Sequence, residues 1–297
     1  MRRVVYSSPF VPAELIAAHG LAPERVVPRH GTAPPEGLCP FAQAFVDAVS
    51  AARDAAAAVF TTTCDQMRRA IELVEREAAP PLFLLHVPHT WQTAAVRRYF
   101  AAELDRLGRF LETCGGRAPS DAELARVMRA HEDARRAGGR GDAERAGDGV
   151  PLAVVGGPLC AEDRVIFELV AGAGGATALD ATEYGERALP APFDRRRLDS
   201  DPRGELAAAY FDGVVDAARR PNGELYRWLK LRLAERAVRG IIFVRYGWCD
   251  TWHAEAARMR EWAALPFLDL ELTGERGAAA ILAQRVQAFL ETVRCSP

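Results

Sequence analysis

The chain lacks the runs and spacings that mark several large functional classes. No apolar run reaches the ~18 residues of a membrane span, and the start, MRRVVYSSPF, is too short and too polar after Tyr6 for a signal peptide. No GxxxxGK[ST] run occurs, which excludes ATP binding by a Walker A loop. Gly156-Gly157-Pro158 is a strand-to-helix turn without GxGxxG spacing, so no dinucleotide fingerprint is read there. The six cysteines include no CxxC pair, which removes zinc ribbons and ferredoxin-type runs as local motifs. An excess of one charge is missing too: the net charge is −2 and the arginines are interleaved with acids, so nothing points to nucleic acid. What remains is a soluble, cytoplasmic reading of 297 residues, 49% of them hydrophobic, enough for two ordinary α/β domains.

Periodicity and punctuation predict strands alternating with helices. Strands are expected at 3–7, 25–28, 57–61, 81–87, 151–155, 176–179, 240–245 and 266–270. Helices are expected at 12–20, from 40 through PFAQAFVDAVSAAR, at 65–77, 91–114, 120–136, 161–171, 203–219, 222–237, 253–263 and 275–294. Ser120 and Glu123 have capping-box spacing. Residues 180–202 read as a loop. The run AGGRGDAERAGDG at 137–149 is Gly-rich, charged and aperiodic, and reads as a linker between a domain at 1–140 and one at 150–297. Continuous apolar strands alternating with helices mean parallel sheets covered on both faces, hence an α/β chain of two Rossmann-like domains flanking a cleft.

The stretch FTTTCDQMRR at 60–69 carries the sharpest signal. A strand end, a turn and a helix start place Cys64 where backbone N–H groups, with Arg68 and Arg69 one turn on, favour a thiolate. Such a thiolate can be a nucleophile, a redox thiol or a metal ligand. Cys39 and Cys249 also lie in loops entering helices, and Cys249-Asp250 repeats the Cys64-Asp65 dipeptide. Cys64 and Cys249 follow strong strands, and the carboxyl ends of strands form the ligand crevice of open α/β sheets. Convergent thiolates are soft ligands, suited to an iron–sulfur cluster or zinc. The plainer alternative is that each is a small buried hydrophobe. Cys160, in GGPLC, could reach the cleft as a fourth ligand, whereas Cys114 and Cys295 look incidental. Ser7 and Ser8 end the first strand, and either bind a ligand or cap the next helix. His89 follows a strand towards the cleft, unless it is simply a hydrogen-bonded loop residue. Trp248 brackets Cys249 with Trp252, and the pair either shields a cluster or only packs.

The opening SSPFVPAELIAAHGLAPERV resembles the YVPEELIYAAGLLPVRL start of 2-hydroxyacyl-CoA dehydratase subunits and the related benzoyl-CoA reductase subunits. The likeness continues through CPFAQAF, TTTCDQMRR, LLHVPHT, GGPLC, GIIFVRYGWCD and the closing ILAQRVQAFLE, in the same order over nearly the whole chain. Family subunits usually carry an additional N-terminal segment, whereas this sequence begins near the first motif, and Glu275-Arg276-Gly277 stands where the family often has a Gly-Gln pair. The resemblance implies two Rossmann-like domains with a [4Fe–4S] cluster between them. Three cysteines hold it, and these map onto Cys39, Cys64 and Cys249. It implies a homologous partner subunit, in a heterodimer or homodimer, and an ATP-hydrolysing iron–sulfur activator that injects a low-potential electron. The substrate is an acyl-CoA. In an (R)-2-hydroxyacyl-CoA dehydratase, a lyase, the electron gives a ketyl radical that expels the hydroxyl group; in an ATP-driven reductase it enters an aromatic ring. Ser7, Ser8, Arg68, His89 and Trp248 are the candidate substrate contacts. A non-catalytic electron-relay or structural subunit of such an assembly, and a zinc or thiol enzyme on the same fold, are the other readings.

Overall fold

The computed structural model describes residues 2–31, 37–75, 79–144, 149–274 and 279–295; Glu275, Arg276 and Gly277 lie outside them. Two four-stranded parallel sheets form, one from each half of the sequence. The first has the order β2-β1-β3-β4, from β1 (Arg3–Tyr6), β2 (Ala22–Arg25), β3 (Ala57–Thr61) and β4 (Leu82–Leu85). The second has the matching order β6-β5-β7-β8, from β5 (Val150–Gly156), β6 (Gly175–Ala181), β7 (Gly240–Tyr246) and β8 (Phe267–Leu272). The central strands β3 and β7 are buried at every residue, as apolar strands covered on both faces must be.

Strand alternation sorts the side chains into layers. On β1, Val4 and Tyr6 face helices α1 (Ala13–Ala18) and α4 (Ala94–Thr113), whereas Val5 faces α2 (Pro40–Ala51) and α3 (Asp65–Glu75). On the second sheet, Leu152, Val154, Ile242 and Val244 face α6 (Val165–Gly172) and α11 (Ala279–Cys295). The opposite face packs on α9 (Gly223–Glu235) and α10 (Asp250–Trp262). One apolar cluster runs without a break from Phe45 and Phe60 of the first half to Leu159, Tyr246 and Leu290 of the second. No helix among the described residues is long and apolar enough to cross a membrane.

Four segments differ from the sequence reading. The strand expected at 25–28 lies three residues earlier, as β2 (Ala22–Arg25), because its register with β1 pairs Arg3 with Ala22 and Tyr6 with Arg25. Helix α5 (Asp121–Glu144) continues through 137–144, where a linker was expected. Its start is fixed by Ser120 and Glu123: the Glu123 carboxylate accepts from Ser120 N–H at 2.8 Å, and the Ser120 hydroxyl accepts from Glu123 N–H at 3.3 Å. A helix nucleated so firmly propagates through glycines that would not start one. The expected helix at 203–219 stops early: α8 (Pro202–Gly213) ends because the chain turns against residues 190–191, where a Cβ on Gly213 would sit 2.0 Å from the Ala191 nitrogen. The loop at 180–202 contains a short helix, α7 (Arg195–Ser200), whose N-terminus is capped by Asp194 accepting from Arg196 N–H at 2.8 Å.

Candidate metal centre

The carboxyl ends of both sheets open onto one cavity of about 240 Å³, and Cys39, Cys64 and Cys249 all line it. Each is held by the first turn of a helix. Cys39 is the N-cap of α2, with Pro40 at the first helical position, and its sulfur accepts from Ala42 N–H at 3.4 Å. Cys64 lies between β3 and α3, its sulfur accepting from Met67 N–H at 3.4 Å. Cys249 is the N-cap residue of α10, just after β7. The Gln66 side chain accepts from Cys39 N–H at 3.0 Å and so couples the two cysteine loops of the first half. Thiols from both halves thus meet in one chamber, as strand-end placement demands.

Electrostatics correct one expectation. Amides at a helix start favour a thiolate, but burial opposes it and wins. The Cys39 thiol is pushed up to about 11 and the Cys64 thiol up to about 12, in each case first by desolvation. Cys249 is raised further, by burial and then by its neighbours, Cys39 and Cys64 among them. These are neutral thiols as they stand, not activated nucleophiles; a bound cation reverses that balance. Arg68 is not among the lining residues: its side chain is 62% exposed and pairs at 2.9 Å with Asp65, which does line the cavity.

The other expected residues divide. Ser7, Ser8 and His89 line the cavity, His89 with a ring nitrogen 2.9 Å from the Thr62 carbonyl. Trp248 does not; it is 66% exposed, while its partner Trp252 is buried in the cavity wall. Cys160 is fully buried and is not among the cavity-lining residues; its N–H donates to the Tyr246 hydroxyl at 2.9 Å. Cys114 is buried at the end of α4, and Cys295 is exposed at the end of α11.

Three charged lining residues escaped the sequence reading: Glu183, Asp216 and Arg220. Asp216 is clamped by the buried Arg187 at 2.5 Å. Arg220 pairs with Glu255 at 2.9 Å. The Glu183 carboxyl is pushed up to about 7, first by burial and next by the charge of Asp216, with Arg25 and Arg187 opposing. No hydrogen bond contributes to that balance. Glu183 follows the carboxyl end of β6, so the strand-end rule that selected the cysteines would have found it had 180–202 not been read as a plain loop.

Fold and cavity together define a two-sheet α/β protein with a thiol-lined chamber between its halves. The profile of the family described as 2-hydroxyglutaryl-CoA dehydratase, D-component, matches residues 9–151 and 134–293, and the chain belongs to that family. No curated protein matches it. Among solved structures, a GTP-binding protein from Sulfolobus solfataricus in complex with GDP is 10% identical, with 99% of this chain and 100% of that one covered and a TM-score of 0.27. FpvC from Pseudomonas aeruginosa in complex with Mn2+ is 11% identical, with 99% of each chain covered and the same TM-score of 0.27. Likenesses this remote carry no functional argument.

Proposed function

We propose that the chain is the iron–sulfur subunit of a 2-hydroxyacyl-CoA dehydratase-like or benzoyl-CoA reductase-like enzyme, with Cys39, Cys64 and Cys249 holding a [4Fe–4S] cluster. The observation that carries this reading is the convergence of three thiols: Cys39, Cys64 and Cys249, drawn from both halves of the sequence, line one cavity. Soft sulfur donors gathered in one chamber suit an iron–sulfur cluster, and metal analysis separates that reading from the zinc alternative. When bound, the cluster supplies a low-potential electron to an acyl-CoA thioester.

The remaining roles belong to side chains on the cavity wall. Phe41, Met67 and Trp252 form an apolar lining that excludes water. Ser7, Ser8 and His89 offer hydrogen bonds to the acyl group. Glu183, with its carboxyl near 7, holds an exchangeable proton in the chamber. Anaerobic purification of the full chain tests the reading: a brown protein with about four irons is expected, and Cys64→Ala should lose most of them. A colourless, iron-free protein after anaerobic reconstitution would overturn it. Thermal-shift titration with acyl-CoAs then separates a substrate-binding subunit from a relay partner, since only the former is stabilised by ligand on its own.

A further inference from the structure

One layer behind the cavity, a second set of ligand-type side chains converges. His30 comes from the segment after β2, Cys160 and Asp163 from the turn between β5 and α6. A ring nitrogen of His30, the Cys160 sulfur and an Asp163 oxygen all lie within 4.8 Å of one another. Zinc bonds of about 2.0–2.3 Å place tetrahedral ligand atoms roughly 3.3–3.8 Å apart, so this set is close to the size a single ion needs. His30 and Asp163 stand 2.7 Å apart, in hydrogen-bond contact, and must open by about 1 Å to admit the ion.

The scaffold around these three is built independently of any ion. Ala161 N–H donates to the Pro28 carbonyl at 2.9 Å, His30 N–H donates to the Glu162 carboxylate at 3.1 Å, and Arg29 pairs with Glu162 at 3.1 Å. Two chain segments from opposite halves are therefore docked before the side chains meet. The Tyr246 hydroxyl donates to Asp163 and accepts from Cys160 N–H, which fixes the carboxylate as outer partners of metal ligands do. Cys160 is fully buried, and the His30 and Asp163 side chains are 11% and 14% exposed. One nitrogen, one sulfur and one oxygen donor form a mixed set that zinc accepts and that an iron–sulfur cluster does not need.

We propose that His30, Cys160 and Asp163 form a zinc(II) site that clips the two halves together behind the thiol-lined cavity, leaving the fourth position to water. The assignment gives Cys160 a role apart from the three cavity thiols, and it holds whether or not those thiols carry iron.

The test is metal analysis of the full chain grown with zinc and iron and freed of loosely bound ions. One zinc per chain is expected in the wild type. Cys160→Ser and Asp163→Asn should each lose at least tenfold in zinc while keeping their iron. Cys64→Ala should lose iron and keep zinc. Asp163→Asn preserves volume and a hydrogen-bonding group, so it serves if Cys160→Ser does not fold. Cobalt(II) added to Cys64→Ala should give a thiolate-to-cobalt absorption band that disappears when Cys160→Ser is also present. No zinc in the wild type, or zinc that leaves with Cys64 rather than with Cys160 and Asp163, overturns the site. An iron-free chain that still holds zinc at Cys160 would refute the cluster reading and leave this one standing.

Discussion

Cys64 sits where backbone amides favour a thiolate, yet burial pushes its thiol up to about 12. At pH 8 only about one molecule in ten thousand then carries the thiolate that alkylating agents attack. Iodoacetamide at pH 8 on the iron-free chain should therefore label the exposed Cys295 first and leave Cys39, Cys64 and Cys249 largely unmodified over the same interval. Peptide mass mapping reads the result; early labelling of Cys64 would restore the activated-thiol view. Glu183 has the opposite chemistry and a clear pH signature. Its folded-state value, near 7, lies above the unfolded value of about 4.3, so the folded chain binds the proton more tightly. That contribution to stability is fully present below about pH 4.3 and is lost as pH rises through about 7. Glu183→Gln should accordingly melt higher than wild type at pH 8 and close to wild type at pH 5; equal melting temperatures at both pH values would count against the proton-holding carboxyl. The three cysteines were legible because each follows a strand or opens a helix in plain sequence. Glu183 was not, because its energy depends first on burial and then on Asp216 and Arg25, which lie far from it in sequence, with Arg187, close by in sequence, adding to the balance.

At the scale of elements, local chemistry was legible and long-range contact was not. The capping box at Ser120 and Glu123 forms as its spacing predicts, and Arg117 adds a contact to the Glu123 carboxylate at 2.5 Å. Ser120→Ala should lower stability by about 1 kcal/mol, measured by chemical unfolding. The order of strands and helices also emerged from periodicity. Over 137–144 the expected linker is helix instead, because helix continuation depends on nucleation upstream as well as on local glycines, while 145–148 lie outside the described residues. The end of α8 escaped for another reason. Gly213 is itself a local stop signal that periodicity alone passed over, and only the fold shows that residues 190–191 occupy the space a Cβ there would need. That stop matters to the cavity, since it frees 214–220 to carry Asp216, Ala218 and Arg220 to the wall. Gly213→Ala drives a Cβ into main chain and should cost about 1–3 kcal/mol. Unchanged stability would show that the backbone at 190–191 yields easily.

At the scale of the whole molecule, the halves of the sequence are not the halves in space. Helices α7 and α8 follow β6 in sequence, but Leu198, Leu206, Tyr210 and Phe211 join the cluster formed by Val4, Phe10, Phe100 and Leu107 of the first half. Phe100 and Phe211 pack at a 45° tilt with ring centroids 5.7 Å apart, Arg97 pairs with Asp212 at 2.6 Å, and the Tyr210 hydroxyl donates to the buried Glu14 carboxylate at 2.6 Å. Amphipathic periodicity shows that a helix has an apolar face, not which sheet that face covers, so this exchange could not be read in advance. Each large apolar side chain in the cluster contributes about 1.5–3 kcal/mol by burial, comparable in sum with the whole stability of a domain. The first half alone, residues 1–149, should therefore lack a cooperative thermal transition and expose apolar surface to a fluorescent dye. Co-expression with residues 150–297 should recover a soluble complex, because α8 then covers Phe10 and Phe100 again. A cooperative, dye-silent transition for residues 1–149 by themselves would instead mean that the first sheet and its own helices close a sufficient core, with α7 and α8 only resting on it.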